Sequence, residues 1–289
     1  MKLTIRAHAK INLTLDVLHK RADGFHQVEM VMQAIELADI LNLEEKVDGD
    51  ISITSNMAHL PCDHRNLAYQ AAMLMKNTYQ VPKGVHIILE KNIPMSAGLA
   101  GGSTDAAGVL VGLNRLWKLG LSLDELEILG SRLGSDVPFC LRGGTQLATG
   151  RGEILEPLPS LPHCYVVLAK PRMGVSTAWV YGKYRENRVL KHPDTAGVRS
   201  ALDQGDLSGV MSRLSNVLES VTMPEYPQIG KLKDCMLQYG AEASLMSGSG
   251  PTVFGLTQDQ GKAEYIAEKL RSQHDIEIII TKTVKGKGE

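Results

Sequence analysis

The sequence lacks the features that would place the protein in an oxidising compartment or a membrane. Its cysteines, Cys62, Cys140, Cys164 and Cys235, are scattered and form no C-x-x-C pair, which favours reduced thiols over a disulfide framework or a zinc site. The N-terminal MKLTIRAHAK is charged where a signal peptide is apolar, and no apolar run approaches membrane-spanning length. With 31 basic and 32 acidic residues among 289, neither nucleic acid nor a membrane surface is expected as the main partner. We therefore expect a soluble, cytoplasmic protein.

Several common catalytic motifs are also missing. There is no G-x-S-x-G elbow, which argues against a serine hydrolase, and the nine histidines show no metal-ligand spacing. The dinucleotide fingerprint G-x-G-x-x-G is absent. A Walker A loop has lysine after its last glycine, whereas here Ser103 and Thr104 follow directly.

One glycine-rich stretch stands out, residues 94–107 (PMSAGLAGGSTDAA), between a predicted strand at residues 85–89 and a predicted helix at residues 105–117. Its glycines, Gly98, Gly101 and Gly102, let backbone N–H groups approach an anion closely. The residues that follow lead into a helix N-terminus, whose dipole favours phosphate. The stretch predicts a phosphate cradle, and a flexible turn with N-cap residues is the alternative.

The hydrophobic pattern predicts an α+β protein with a proline-rich boundary near residues 157–162, which gives domains at residues 1–158 and 159–289. In the first domain, strands are predicted at residues 5–18, 28–37, 40–43, 51–54, 85–89 and 145–148, helices at 66–79, 105–117 and from the Ser122 capping box to Gly134, and a loop at 134–139. In the second, strands are predicted at residues 164–169, 243–246, 252–256 and 276–283, and helices at 177–186, 207–221, 224–239 and 261–272.

Three further places carry polar residues that suit phosphoryl transfer. Lys10 and Asn12 are two apart on the first predicted strand and share a face, Asp136 lies in the loop at residues 134–139, and residues 247–250 form a second small-residue loop. Brought together with the cradle in one cleft, Lys10 would supply a cation and Asp136 a base. A solvated lysine, a turn aspartate and a hairpin connection are the plainer alternatives. These residues alone indicate a nucleotide-binding protein, and a transferase is one possibility.

The motifs resemble those of the superfamily of galactokinase, homoserine kinase, mevalonate kinase and phosphomevalonate kinase. The resemblance lies in AHAKINL at residues 7–13, in residues 94–107 and in LMSGSGPTVF at residues 245–254. It implies an N-terminal ribosomal-protein-S5-like ATP-binding domain, a C-terminal ferredoxin-like sandwich, and ATP and Mg²⁺ as cofactors. RADGFH at residues 21–26 and GSDVPF at residues 134–139 are most similar to a member of the non-mevalonate isoprenoid pathway whose acceptor alcohol is linked to cytidine diphosphate.

The same resemblance implies roles for individual residues. Asp136 resembles the catalytic base and Lys10 the group that polarises the acceptor hydroxyl. On the substrate side, Phe25 takes the place of an aromatic residue that stacks on cytosine, with further contacts from Asn12, His26 and Tyr181. The residues implied in ATP binding are Asn66, Leu67, Lys91, Pro94, Ser96, Ala97, Gly98, Leu99, Ala100, Gly101, Gly102, Ser103 and Thr104. Of these, Asn66, Leu67 and Lys91 are implied on the adenine side. Ser103 or Thr104 is the candidate for Mg²⁺, and we expect a monomer or a weak homodimer.

The chain departs from the family's glycine pattern at Ser96, Ala97 and Ala100, where glycines are common. Because a Cβ atom disfavours positive φ, we predict that these positions are not left-handed. Two other functions fit parts of the pattern. A small-alcohol kinase would not need the base-binding pair Phe25 and His26, and a non-catalytic nucleotide sensor would be expected to lack Lys10 or Asp136.

Overall fold

The computed structural model of the protein describes residues 1–185, 189, 191–273 and 275–286. Within these residues strands and helices are mixed along the chain, as predicted for the α+β class. The strands are β1 Lys2–Lys20, β2 His26–Lys46, β3 Ile51–Ser55, β4 Gly84–Glu90, β5 Thr145–Thr149, β6 Ile154–Pro157, β7 Tyr165–Pro171, β8 Ser215–Asn216, β9 Ala243–Met246, β10 Val253–Thr257 and β11 Ile276–Lys282. The helices are α1 Leu67–Thr78, α2 Gly101–Leu116, α3 Leu123–Leu133, α4 Val137–Arg142, α5 Thr177–Lys183, α6 Thr195–Asp203, α7 Leu207–Met211, α8 Glu219–Glu225, α9 Pro227–Gln238 and α10 Gln260–Gln273.

The chain forms two compact units, and both are discontinuous in sequence because β1, β2 and the glycine-rich stretch each contribute to both. The first unit comprises Met1–Ala9, Leu37–Pro94 and Ala100–Arg142, and the second comprises Lys10–Glu36, Met95–Leu99 and Gly143–Glu289. The predicted boundary after residue 158 divides the chain in sequence order, and it stays a prediction. None of the helices that the structure describes has the length and apolarity needed to cross a membrane.

The first unit contains β3, β4 and the C-terminal part of β2, which belong to a seven-stranded sheet, and helices α1 to α4. β3 pairs in parallel with β4, and β4 pairs antiparallel with residues 40–46 of β2. The core between sheet and helices consists of aliphatic residues of the strands together with alanines, leucines and other apolar residues of the helices. Helix α2 lies deep in this core because Gly108 and Gly112 let it approach β2; a Cβ atom placed on Gly108 would lie 3.3 Å from two carbons of Leu41. The prediction of a buried helix after the glycines is confirmed.

The second unit contains a four-stranded antiparallel sheet with strand order β11-β7-β10-β9. Its central pair runs from Val253 opposite Ala169 to Thr257 opposite Tyr165, and α9 and α10 pack on it. This is the helix-covered antiparallel sheet that the sequence predicts for the C-terminal part. In the same unit, β5 pairs with residues 30–33 of β2 and with β6, and β8 pairs in parallel with β1 at Thr14 and Leu15.

Three predictions before residue 143 need correction. Strands predicted at residues 28–37 and 40–43 are one strand, β2, because the polar Asp39 between them is buried and paired and does not end the strand. Helix α2 begins at Gly101, four residues before its predicted start. Residues 101–103 belong to the first turn, where backbone N–H groups need no acceptor within the helix. The predicted loop at residues 134–139 ends early, because Pro138 fits the first turn of α4.

Three predictions after residue 176 also need correction. The helix predicted at residues 207–221 is α7, β8 and α8, because the Asn216 side chain donates to backbone carbonyls 30 and 32 residues away and holds its segment extended. The helix predicted at residues 224–239 is α9, which begins only at Pro227, and α6 was not predicted. Helix α5 ends at Lys183, whereas its predicted end, residue 186, lies outside the described residues.

Candidate active site

The glycine-rich stretch turns by means of three alternate left-handed residues. Ser96 has φ 50°, Gly98 φ 73° and Ala100 φ 60°. The prediction that the non-glycine positions are not left-handed is therefore wrong for Ser96 and Ala100, and it is correct for Ala97. A side chain costs about 1–2 kcal/mol in this region, so the surrounding contacts of these two residues must hold the backbone there. The stretch keeps a shape that glycine would adopt.

The first turn of α2 presents unpaired backbone N–H groups. Its N-cap is Ala100, which offers no side-chain hydrogen bond, whereas Asn66 and Ser122 cap α1 and α3 through their side chains. The first intrahelical bond runs from the N–H of Thr104 to the carbonyl of Ala100, so the N–H groups of residues 101–103 have no acceptor within the helix. Together with the positive end of the helix dipole, they make this turn suited to a phosphate group.

The loop that carries Asp136 lies against this turn, within the same unit. A Cβ atom placed on Gly134 would be 3.9 Å from the Ser103 hydroxyl. Asp136 is half-buried, and its backbone carbonyl accepts the N–H of Cys140 at 3.1 Å, which begins α4. A carboxylate is thus held two residues from a glycine that touches the candidate phosphate-binding turn.

The predicted adenine-side residues lie close to the same helix. Asn66 caps α1, accepting the N–H of Ala68 at 2.9 Å and donating to the carbonyl of Pro61 at 2.8 Å. The side chain of Leu67 lies 3.5 Å from a Cβ atom placed on Gly102. The structure therefore brings Leu67 next to the cradle glycines, while the Asn66 side chain is engaged in capping.

Lys91 is buried and lies between two carboxyl groups. Its ammonium contacts Asp39 and donates to Asp105 Oδ2 at 2.7 Å. The pKa of Asp105 is well above its ordinary value, because burial disfavours the charged carboxylate; the Lys91 charge opposes this and the Asp39 carboxyl adds to it. The Lys91 ammonium is thus already paired within the protein.

In the second unit, Lys10 and Asn12 share a face of β1, as predicted. The ammonium of Lys10 donates to Asn12 Oδ1 at 2.6 Å, and Asn12 Nδ2 donates to the sulfur of Met30 at 3.2 Å. Both side chains are almost completely buried. The backbone N–H of Lys10 also donates to the carbonyl of Leu99 at 3.2 Å, so β1 and the end of the glycine-rich segment 95–99 are joined next to the lysine.

The second small-residue loop supports the same segment. The Ser247 hydroxyl donates to the carbonyl of Gly98 at 2.9 Å. A Cβ atom on Gly98 would lie 2.2 Å from the Ser247 carbonyl oxygen, so only glycine permits this approach. The loop is itself held by Asn216, whose amide donates to the carbonyls of Met246 and Gly248, both at 2.8 Å. Residues 247–250 are thus buried and support residues 95–99 through contacts with Gly98.

The predicted base-binding residues are partly assembled in this unit. The rings of His26 and Tyr181 lie 5.4 Å apart, centroid to centroid. Phe25 is 52% exposed, and the Arg151 guanidinium lies 4.9 Å from its ring centroid. The pKa of His26 is lowered by burial and by the charge of Lys20, which favours a neutral imidazole able to donate and accept hydrogen bonds.

Sequence reasoning missed several neighbours of these residues. Tyr184 contacts His26 edge-on at 6.3 Å; its spacing of three from Tyr181 is one helical turn, a signal that was present in the sequence. Arg151 and the Asp39–Asp105 pair had no such signal, because they meet their partners across long sequence separations.

Two family models match the chain: the GHMP kinases N-terminal domain at residues 66–144 and the GHMP kinases C-terminal domain at residues 198–276. A Geobacillus protein named 4-diphosphocytidyl-2-C-methyl-D-erythritol kinase is 52% identical over 94% of this chain and 93% of its own length. The Enterococcus faecalis protein of the same name is 50% identical over 99% of this chain and all of its own. A crystal structure of a 4-(cytidine 5'-diphospho)-2C-methyl-D-erythritol kinase matches with a TM-score of 0.83 and 34% identity, covering 99% of this chain and 100% of that one. The chain therefore belongs to the 4-diphosphocytidyl-2-C-methyl-D-erythritol kinase family of the GHMP kinases.

Proposed function

We propose that the protein transfers the γ-phosphoryl group of ATP to the 2-hydroxyl of 4-diphosphocytidyl-2-C-methyl-D-erythritol, giving the 2-phosphate in non-mevalonate isoprenoid precursor synthesis. Membership of the GHMP kinases, together with relatives named as kinases, makes it an ATP-dependent kinase. The acceptor follows from the name shared by relatives about half identical over nearly the whole chain.

One observation supports the chemistry most directly: the loop that carries Asp136 lies beside the uncapped first turn of α2. That turn binds the phosphates through the N–H groups of residues 101–103, and a base beside it has the acceptor hydroxyl within reach when the γ-phosphate is bound. The segment before α2 fits the rest of the triphosphate, because Ser96, Gly98 and Ala100 have the left-handed backbone that glycines adopt readily.

In the proposed step, the acceptor hydroxyl oxygen forms a bond to the γ-phosphorus while the bond to the β-phosphate oxygen breaks and ADP leaves. The hydroxyl proton passes to the carboxylate of Asp136. Lys10 assists as a cation near the developing negative charge, and its bond to Asn12 at 2.6 Å fixes the ammonium. Asn12 is proposed to contact the substrate, with Phe25 and Tyr181 stacking on cytosine and His26 hydrogen-bonding to it.

Magnesium fits the proposal through Ser103. Mg²⁺ is usually held by one or two protein oxygens, substrate phosphates and water. The described residues contain no group of three or more histidines, cysteines or carboxylates that could hold a metal alone. Of the two candidate hydroxyls, that of Thr104 is 1% exposed as a residue and donates to the carbonyl of His8 at 2.6 Å, whereas Ser103 is half-exposed in the first turn. Bound there with ATP, the ion would neutralise phosphate charge.

The proposal also includes the domain boundary after residue 158, a cytoplasmic location and a monomer or weak homodimer. Light scattering over a range of protein concentrations measures the oligomeric state, and a stable tetramer would contradict this part.

The acceptor is tested by comparing turnover of the cytidylylated substrate with that of free methylerythritol, homoserine and mevalonate under the same ATP and Mg²⁺ concentrations. We expect the cytidylylated compound to be used far better, since only this acceptor engages Phe25 and His26. Preference for one of the small alcohols would reject the proposed substrate.

The base is tested by Asp136→Asn. We expect kcat to fall by about 10²–10⁴ while both ligands bind with nearly unchanged affinity. Asp124→Asn is the matched control, because Asp124 is an exposed carboxylate of the same unit, paired with Arg142. Normal turnover by the Asp136 variant would remove that residue from the reaction.

A further inference from the structure

A buried cluster of one lysine and two aspartates joins β2, the residue that follows β4, and helix α2 within the first unit. The Lys91 ammonium lies between the carboxyl groups of Asp39 on β2 and Asp105 on α2, and the three side chains are 3%, 0% and 3% exposed. Taking charged groups out of water is costly unless they are closely paired. Apolar side chains at these three positions would avoid this desolvation cost.

The two carboxyl groups are held very differently. Asp39 Oδ1 accepts the backbone N–H groups of Asn92 at 2.6 Å and Ile93 at 2.8 Å, in addition to the Lys91 contact at Oδ2. Asp105 accepts from Lys91 at Oδ2 and interacts with the Asp39 carboxyl, but it receives no backbone N–H bond that the structure describes, and its Oδ1 is buried with no hydrogen-bond partner among the described residues. Asp39 thus holds the Lys91 side chain against β2. The hydrogen bond from Lys91 to Asp105 then links α2 to the same strand.

The Lys91–Asp105 hydrogen bond lies next to the first turn of α2, the candidate phosphate-binding turn. Asp105 is the fifth residue of the helix, and the Lys91 ammonium lies 3.4 Å from a Cβ atom placed on Gly101. On the other side of the turn, the Thr104 hydroxyl donates to the carbonyl of His8 on β1. The first turn is thus tied down on two sides, although its own N-cap residue supplies no side-chain bond.

We propose that Asp39, Lys91 and Asp105 form an anchor that positions the first turn of α2 for binding the phosphates of the nucleotide, with Lys91 a positioning residue that does not contact adenine. The inference rests on the proposed ATP-binding function and changes the role expected for Lys91. Two of the three ammonium donors are taken by carboxyl groups, and the side chain is only 3% exposed. A loosened first turn would place its N–H groups less well, and only ligands with phosphates would sense the change.

The test uses Asp105→Ala, which removes the bond to α2 and leaves the Lys91–Asp39 pair in place, and Asp105→Asn, which keeps an oxygen acceptor. Dissociation constants for ATP and for adenosine are measured with each full-length variant. For Asp105→Ala we expect ATP binding weaker by about tenfold, the value of one charge-assisted hydrogen bond, and adenosine binding unchanged. Asp105→Asn should restore ATP binding to within about twofold of the original protein, since the lost acceptor is regained.

A role of the cluster in general stability alone predicts a different result. Val109→Ala is the matched control, because Val109 is fully buried one turn further along α2 and its truncation destabilises the helix without touching the anchor. The ratio of ATP to adenosine affinity should stay at its original value in this control. An equal loss of both ligands in Asp105→Ala, or an unchanged ATP affinity, would overturn the anchor.

Amide hydrogen exchange of the ligand-free variants separates this inference from the proposed function. Asp105→Ala should speed exchange at residues 104–106, whose N–H groups are bonded within the helix, well beyond the change seen in Val109→Ala, and this holds even if the original protein bound no ATP. Absence of ATP binding in the original protein would reject the proposed function. Unchanged exchange at these amides would reject the anchor alone.

Discussion

Replacing Asp39 and Asp105 separately by asparagine should affect stability very unequally, because their partners differ. In Asp39→Asn, the amide oxygen can keep the backbone N–H groups of Asn92 and Ile93, but the amide NH₂ then points at the Lys91 ammonium. In Asp105→Asn, the amide oxygen can accept from Lys91 and the NH₂ takes the place of Asp105 Oδ1, which has no partner.

The magnitudes follow from these contacts. Asp39→Asn breaks a buried ion pair and sets donor against donor, and removing one partner of such a pair costs about 3–5 kcal/mol. For a chain of this size that lowers the melting temperature by roughly 10 °C. Asp105→Asn keeps the hydrogen bond and removes a carboxyl group whose burial already favours its neutral form. At a pH below about 4, where this carboxyl group is protonated in both the folded and the unfolded state, we therefore expect a change below about 1 kcal/mol.

The second substitution should also change how stability depends on pH. Because the pKa of Asp105 is raised in the folded protein, the folded state keeps a proton that the unfolded chain loses above an ordinary pKa of about 3.9. The original protein therefore loses stability relative to Asp105→Asn as the pH rises, by about 1.4 kcal/mol per pH unit up to the folded-state pKa. Urea unfolding of both proteins at a series of pH values measures the difference, in which titrating groups that do not interact with Asp105 cancel.

Two results would refute this reasoning. A stability difference between the original protein and Asp105→Asn that does not vary with pH would mean that Asp105 is ionised when folded. Equal destabilisation by Asp39→Asn and Asp105→Asn would mean that the two carboxyl groups are held equally, contrary to their contacts.

Three further predictions concern other parts of the molecule. Phe25→Ala should raise the KM for the cytidylylated substrate by about tenfold through lost base stacking, with kcat unchanged; a fall in kcat alone would contradict the cytosine assignment. Ala100→Gly should leave thermal stability equal or higher, because φ is 60° there, whereas Ala106→Gly in the same helix should cost about 1 kcal/mol; equal losses would mean that Ala100 is unstrained. Burial raises the pKa of the Cys164 thiol to about 12, so mass spectrometry after alkylation of the folded protein should find the exposed Cys62 modified first, and equal rates would contradict this.

Elements with strong local signals were predicted well. The Ser122 capping box is formed as expected, with Ser122 and Glu125 bonded to each other's backbone, and α1 begins directly after Asn66. Lys10 and Asn12 share a strand face because side chains two apart on a strand always do. These features depend on neighbours in sequence, so residue type and spacing were sufficient.

Features that depend on distant partners were not predictable in this way. A charged residue at position 39 suggests a break between two strands, and only Lys91, 52 residues later, makes it a buried strand residue. Residues 207–221 have helical spacing, yet Asn216 is held extended by carbonyls of the chain near residue 247. In both cases a polar side chain has partners far away in the sequence, and local secondary-structure propensity contains no information about them.

The left-handed Ser96 and Ala100 show the same principle in the backbone. A rule about single residues assigns left-handed φ to glycine, because a Cβ atom there costs about 1–2 kcal/mol. The chain meets this cost by fixing the backbone around each residue: the carbonyl of Gly98 is bonded to Ser247, and the carbonyl of Ala100 accepts the first bond of α2. Gly98 cannot be replaced in the same way, because the Ser247 carbonyl occupies the space of a side chain. The glycine-rich stretch thus contains two kinds of left-handed position. Position 98 requires glycine because residues 247–250 contact it, whereas positions 96 and 100 only favour glycine.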